Sequence, residues 1–375
     1  MAKKHKVLVV GQTPPPFGGQ AVMIQNMLEG PYPRIKFYHV KMDFSVSMDQ
    51  MGKFKLRKLW VLAKVILGIY YHRIFHGTKV MYYPPAGPDR MPIFRDLVIL
   101  NTTRWLFKKV VFHFHASGMS EYEHGFEGFT LKLFERAYFR PEATIRLAAH
   151  SPQDGRFFQA KNEFIIPNGL EDEGKRFLNG HAVPRTIDDD APNILFVGLL
   201  KESKGILILL EAARICAEQG LKFSVNVMGR WESEDIKNRA ERFVQQHQLQ
   251  EYVNFLGVRT GDEKWGFFSY ADIFCFPTFF ESETQSLVLI EAMQFELPVV
   301  TTKWRGIPSI VEEGDNGFMV PVKSGAAVAE KLALLIQDEE MRKKMGQAGR
   351  QMYLERFSYE VHHRNMEDLF VSLCS

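Results

Sequence analysis

The sequence predicts an α/β protein built from two parallel-sheet domains, and three observations carry that prediction. Its 375 residues exceed the range that one hydrophobic core serves well. Short apolar runs alternate with longer helix-period segments along almost the whole chain, the pattern of βαβ units whose sheets are covered on both faces. Around residues 166–192 the alternation stops, in IPNGLEDEG and HAVPRTIDDDAPN, where proline, glycine and an acidic triplet mark a linker.

In the first half, residues 6–10 (KVLVV) read as a buried strand, followed by a Pro/Gly loop and a helix from Gln20 to Glu29. A long apolar helix is expected near 55–75, a strand at 79–83, a helix near 91–107, a strand at 110–115, a helix near 126–139 and a strand at 144–149. Beyond the linker, NILFVG opens a second series: a helix over 204–219 closed by Gly220, the strand KFSVNVMG, a helix near 233–248, then VNFLGV and a short helix. DIFCFP, a helix near 286–296 and PVVTT complete it. Each half reads as a Rossmann-like domain. The boundaries are drawn at 1–170 and 171–355, with a helical segment at 356–375 (LERFSYEVHHRNMEDLFVSL runs into it) expected to pack back on the first domain.

Composition excludes several classes. Hydrophobic residues at 46% and charged residues at 24% are those of an ordinary globular protein. Cys216, Cys275 and Cys374 are far apart and form no CxxC or Cys/His cluster, so neither a disulfide framework nor a structural zinc site is indicated and a reducing, cytoplasmic setting fits. The apolar stretch Val7–Val10 is too short for a signal peptide. The longest apolar segment, Leu59–Tyr71, is broken by Lys64 and falls short of the roughly 20 residues a membrane span needs. Charge is lopsided: residues 1–170 hold 24 Lys+Arg against 12 Asp+Glu, and the remainder 23 against 32. A basic half suits an anionic partner, for which nucleic acid, anionic lipid and a diphosphate substrate are candidates; mutual attraction of the two halves explains the same numbers.

The most informative segment is FCFPTFFESETQSLVLIEAMQFELPVVTTKWRGIPSIVEEGDNGFMVP. Glu283 stands at a strand-to-helix turn and Glu291 inside the following helix. A carboxylate at the end of a parallel strand points toward the crevice where ligands bind in such sheets. Paired carboxylates suit a polyhydroxylated ligand, because each accepts hydrogen bonds from neighbouring hydroxyls. The backbone N–H groups of Gln285, Ser286 and Leu287 open the helix and would form an anion site for a diphosphate. As a bare spacing, E-x7-E is more often a helix-start charge and a solvated face residue.

The whole segment resembles the carboxyl-terminal signature of the GT-B, family 4 retaining glycosyltransferases (glycosyl transferases group 1). In that family E-x7-E is followed by EAM, a PVV strand, G-x-P-x-I-V and NGFxVP. The elements here read EAMQFELPVV, RGIPSIV and NGFMVP in the same order. The likeness reaches back to IIPNGLE and FVGLLKESKGILILLEA and is densest from 164 to 320. It implies two domains facing across a cleft, with a nucleoside diphosphate sugar between them. It assigns Glu283 to the transferred sugar, Glu291 to the ribose hydroxyls and Lys204, in SKG, to the donor diphosphate. A lysine at a helix start opposes the helix dipole, a penalty that a bound anion removes. One position departs from the pattern: the family often places an arginine just after the glycine of FVG, and Leu199 stands there. Lys201, Arg230 and Arg305 are the alternative sources of that charge.

In the first half, Gly18 and Gly19 precede a helix, so a phosphate can approach backbone N–H groups with no Cβ in the way. The loop is neither G-x-G-x-x-G nor a Walker motif, and Pro/Gly loops are commonly just turns. The resemblance gives this Gly-Gly loop contact with donor and acceptor. In KKVVFHFHASG, strand alternation puts His113 and His115 on one face, with Phe112 and Phe114 on the other. They read as hydrogen-bonded sheet histidines, since no third metal ligand is identifiable. The resemblance implies a place near the reaction centre for His115, leaving His113 structural. Lys53, Lys55, Arg57 and Lys58 precede an almost wholly apolar helix, which either covers a sheet or meets an anionic membrane surface.

Together these readings imply a retaining transfer of a hexose from a UDP- or GDP-sugar to a lipid-linked or polysaccharide acceptor, without metal or other cofactor. Catalytic roles fall to Glu283 and His115; donor contacts fall to Gly18, Gly19, Lys204, Glu283, Gln285, Ser286, Leu287 and Glu291. The expected partners are a nucleotide sugar, the acceptor and the inner membrane face, not nucleic acid. A GT-B-like epimerase or phosphorylase and a non-catalytic nucleotide-sugar-binding subunit are the rivals. A dehydrogenase fits worst, because no dinucleotide fingerprint follows the first strand.

Overall fold

The apolar runs form strands, and the helix-period segments between them cover both faces of two sheets. The computed structural model describes residues 4–15, 18–44, 55–85, 87–121, 125–178 and 191–374. It divides into one unit of residues 1–169 with 360–375 and another of residues 170–359.

The first unit contains β1 (His5–Gly11), α1 (Gly19–Glu29), β2 (Ile35–Lys41), α2 (Lys55–Phe75), β3 (Val80–Tyr83), α3 (Arg90–Thr103), β4 (Lys109–Phe114), α4 (Gly128–Tyr138), β5 (Ala143–Arg146), α5 (Asp154–Phe157) and β6 (Asn162–Ile165). Its parallel strands run in the order β2-β1-β3-β4-β5-β6. Leu8, Val10, Phe112 and Phe114 point into a core closed by α2, α3 and α4. Val7, Val9, Tyr82 and Val111 point the opposite way, toward α1. This division of alternate residues between two cores is what a sheet buried on both faces requires.

The second unit contains α6 (Glu173–Leu178), β7 (Asn193–Val197), α7 (Ile206–Glu218), β8 (Ser224–Met228), α8 (Glu234–Gln246), β9 (Val253–Gly257), α9 (Gly261–Tyr270), β10 (Ile273–Phe276), α10 (Leu287–Gln294), β11 (Val299–Thr302), β12 (Gly317–Val320), α11 (Gly325–Gln337) and α12 (Glu339–Met352). Its parallel strands run in the order β12-β11-β10-β7-β8-β9. The winding reverses between β7 and β10. Ligands in open α/β sheets bind outside the carboxyl ends of the strands at such a switch point.

The two parallel sheets agree with the expected fold class, and three differences have physical reasons. Strands β2, β6 and β12, all at sheet edges, are absent from the sequence expectation. β2 and β6 keep polar or exposed residues, IKFYHVK and NEFI, and so lack the continuous apolar run of a central strand, while β12, GFMV, is buried but only four residues long. Residues 202–204 form a 3₁₀ turn and α7 begins only at Ile206, because Gly205 takes a left-handed φ of 91°. The expected linker at 166–192 contains α6, which is fastened at its start. The Asp172 carboxylate accepts two bonds from Arg350, at 2.6 and 2.7 Å, and Glu173 N–H donates to Gln294 Oε1 at 3.0 Å.

At the carboxyl end a π-helical turn, Tyr353–Phe357, leads into α13 (Tyr359–Cys374). Met366, Leu369, Phe370 and Leu373 of α13 enter the core beside Val7, Val9 and Ile24 of the first unit. Arg34 N–H donates to Glu367 at 2.7 Å, and Lys109 Nζ donates to the Leu373 carbonyl at 2.5 Å. Among the described residues no helix is long and apolar enough to cross a membrane.

Candidate functional site

The switch point of the second unit is flanked by two loops, one after β7 and one after β10, and hydrogen bonds lock them together. Phe279 N–H and the Thr278 hydroxyl donate to the Ser203 carbonyl at 2.7 and 3.3 Å, and from the loop after β11 Trp304 Nε1–H donates to the Phe280 carbonyl at 2.8 Å. Gly205 is needed at the crossing, for a Cβ there would lie 2.3 Å from the Pro277 carbonyl oxygen, on top of the left-handed φ. The chain thereby carries Lys204 over the β10 loop. Its Nζ lies 2.6 Å from Glu283 Oε2 and 4.3 Å from the Phe280 ring centroid. The Thr278 hydroxyl is 3.1 Å from the same Glu283 oxygen. With side-chain exposures of only 19% for Lys204 and 8% for Glu283, this ion pair is withdrawn from water.

Beyond Glu283 the chain enters α10 through Gln285 and Ser286, both buried. Ser286 is the N-cap residue, yet its side chain makes no capping bond, and its Oγ is buried without a partner. Five residues on, Glu291 Oε1 receives the Lys264 ammonium at 2.7 Å, while Oε2 is buried and unpartnered. Buried polar atoms are costly unless something satisfies them. Ser203 Oγ, Ser286 Oγ and Glu291 Oε2 thus leave hydrogen-bonding capacity around one sheet edge. A helix start, a cation and carboxylates with spare acceptor sites can hold a diphosphate and neighbouring hydroxyls.

Sequence reasoning named Lys204, Glu283, Gln285, Ser286, Leu287 and Glu291, and the structure gathers them on the β7 and β10 loops and the first two turns of α10. It missed Lys264, which lies on α9 and reaches Glu291 only because α9 leads into β10. Lys323 was also missed. Its Nζ stands 4.9 Å over the Phe279 ring, on a cavity of about 440 Å³ shared with Lys201, Ser203, Phe280 and Trp304. Neither lysine belongs to a spaced motif. Leu199, in place of the family's arginine, is 37% exposed. Of the alternative cations, Lys201 pairs with Glu232 at 2.8 Å, Arg230 is exposed, and Arg305 stacks on Trp304 at 5.4 Å.

Gly18, Gly19 and His115 belong to the first unit. Gly18 is exposed, has a φ of −136°, and a Cβ on it would touch nothing within 4 Å, so neither packing nor backbone strain calls for glycine there. Gly19 opens α1. His113 and His115 do share a face of β4 and its extension, with ring centroids 4.0 Å apart. The Tyr82 hydroxyl joins them, 2.7 Å from His113 Nδ1 and 3.2 Å from His115 Nε2. Burial, reinforced by His362, pushes His115 down to about 3; burial also lowers His113, which is 1% exposed. Both rings are therefore neutral near pH 7 and act as hydrogen-bonding groups, not cations.

The sequence model of the glycosyl transferases group 1 family matches residues 182–352. Among curated proteins, the capsular polysaccharide biosynthesis glycosyltransferase CapM of Staphylococcus aureus is 28% identical over 203 residues, 54% of this chain and 49% of CapM. The matched stretch is thus about half the length of such relatives. Among solved structures, sucrose-phosphate synthase from Thermosynechococcus elongatus superposes with a TM-score of 0.71 at 17% identity, covering 99% of both chains. Anabaena HepE in complex with UDP-glucose gives 0.68 at 17% identity, covering 98% of this chain and 99% of HepE. At that identity the likeness speaks for the α/β GT-B fold alone. The residues that match this family model contain all six strands of the second sheet and the Lys204–Glu283 pair.

Proposed function

We propose that this protein is a retaining glycosyltransferase that moves a hexose from a nucleoside diphosphate sugar to a lipid-linked or polysaccharide acceptor. The observation that carries the reading is the Lys204–Glu283 pair at the switch point, beside a helix start with unsatisfied polar atoms. The family match supports the class, HepE's bound UDP-glucose supports a UDP-sugar donor, and CapM's role in capsular polysaccharide synthesis supports a saccharide acceptor.

In the reaction the anomeric carbon's bond to the diphosphate oxygen breaks and a bond to the acceptor oxygen forms on the same face. The acceptor proton leaves to the departing diphosphate or to solvent. Negative charge grows on that diphosphate. Lys204 and the amides that open α10 are fixed in advance to stabilise it, the arrangement that lowers barriers most effectively. Glu283 accepts hydrogen bonds from sugar hydroxyls and orients the ring, and Glu291 does the same for the ribose. In this reading no metal is required, and Gly18, Gly19 and neutral His115 are the first unit's contribution to substrate contact.

A thermal-shift screen against UDP- and GDP-sugars, followed by transfer assays with EDTA present, tests the proposal. Stabilisation by one donor class, acceptor-dependent turnover unaffected by EDTA and an α-linked product from an α-linked donor are expected. Conversion of the free nucleotide sugar without acceptor would identify an epimerase, and donor binding without any turnover would identify a binding subunit.

A further inference from the structure

Helix α2 has two apolar stripes. Val61, Val65 and Ile69 line one side and are buried against Leu8, Val10 and Val40. On the opposite side Trp60, Leu67, Tyr71, Ile74 and Phe75 recur at helical spacing, each between 51% and 71% exposed. A helix covering a sheet needs only the first stripe. The second runs about 22 Å along the helix at 1.5 Å per residue.

It is not confined to one helix. α3 and α4 cover the same sheet face as α2, and they expose Met91, Phe94, Val98 and Phe129. Just past α3, Trp105 is 65% exposed and stands 6.3 Å from the Tyr70 ring. Single exposed apolar residues are ordinary; a contiguous aromatic patch across neighbouring helices marks a binding surface.

The charge around the patch names the partner. Arg57, Lys58 and Lys64 are exposed on α2 itself, Lys108 shares a cavity with Trp105, and the Lys64 ammonium sits 5.4 Å over the Trp60 ring. From Gln50 to Pro88 the sequence holds no Asp or Glu. Lys53 and the Lys55 side chain lie outside the described residues. A second copy of this chain would set like charges against each other in a self-complementary contact. A bilayer with anionic headgroups receives both features at once: the aromatic and aliphatic stripe enters the headgroup–acyl boundary while lysines reach the phosphates.

We infer that the outer face of α2, extended by α3 and α4, docks this protein in plane on an anionic lipid surface. This goes beyond the transferase reading and does not depend on it. Co-sedimentation of the full chain with phosphatidylcholine vesicles, with and without 30 mol% phosphatidylglycerol, tests the inference. Binding at least tenfold tighter to the anionic vesicles, weakened by salt and accompanied by a blue shift of tryptophan emission, is expected. The variant Trp60→Ala/Leu67→Gln/Ile74→Gln changes only exposed positions, so its unfolding midpoint should hold while lipid binding falls at least tenfold. Its affinity for nucleotide sugar, read by calorimetry, should not change, which keeps this result separate from the donor site. Equal binding to neutral and anionic vesicles, or a lipid-free dimer that the triple variant disperses, would overturn the inference.

Discussion

The Lys204 ammonium lies 2.6 Å from a Glu283 carboxylate oxygen, although 79 residues separate them. One follows β7 and the other follows β10, strands that are neighbours only because the sheet winds outward in both directions from β7. The pair is a product of topology. A bound diphosphate would compete with Glu283 for Lys204, leaving the carboxylate free to turn to the sugar.

Glu283→Gln keeps the shape and the Thr278 contact but loses the charge. Transfer should fall about 10²–10³-fold, as for other losses of a group aimed at the transition state. Lys204→Ala should raise the donor dissociation constant about 10–100-fold, the worth of a hydrogen bond to a charged group. Initial-rate kinetics and calorimetry read the two effects; wild-type turnover in the first variant would remove Glu283 from the mechanism.

Glu291 Oε2 is a buried acceptor without a partner, and in the proposed function it takes the ribose hydroxyls. UDP should therefore bind about tenfold more tightly than its 2′,3′-dideoxy analogue, the worth of one or two ordinary hydrogen bonds. Glu291→Gln should shrink that ratio. A ratio near one in the unaltered protein would place the ribose elsewhere.

Two glycines should behave in opposite ways. Gly205→Ala forces a Cβ toward the Pro277 carbonyl in a left-handed conformation and should cost more than about 1–2 kcal/mol, read as a lowered urea midpoint. Gly18→Ala meets open space and should leave stability within about 1 kcal/mol. If Gly18→Ala nonetheless weakens substrate binding, the cause is the approach of a ligand to that loop.

Histidines held neutral by burial set the acid limit of the first unit, where burial also lowers His39 and His72. Burial lowers His113, and it pushes His115 down to about 3 and His362 and His363 to about 4, against an ordinary 6.5. Below pH 6.5 the unfolded chain binds protons that the folded chain refuses, so stability is full above that pH and is lost as pH falls toward 4. Few carboxylates titrate between about pH 6.5 and 5, so the slope of the urea midpoint there reads the histidines. A midpoint flat across that window would contradict the assignment.

How much of this was legible beforehand follows from which interactions are local. The central strands are unbroken apolar runs, and KVLVV, NILFV and IFCF announce themselves. Edge strands such as IKFYHVK do not, because one side meets water. Within the site, Glu283, Ser286 and Glu291 lie on one motif and could be read together. Lys264 and Lys323 could not: each reaches the site from a different βα unit, and nothing in their own neighbourhoods marks them. The exposed stripe of α2 was legible only as an excess of apolar residues, since sequence does not say which of two stripes a sheet covers.

A structure of the protein crystallised with a UDP- or GDP-sugar decides whether the donor sits at the switch point of the second sheet. Diphosphate oxygens are expected within about 3 Å of Lys204 Nζ and the first amides of α10, with Glu291 on the ribose and Glu283 on the hexose. A nucleotide bound away from the β7–β10 switch point, with the Lys204–Glu283 pair untouched, would contradict this placement.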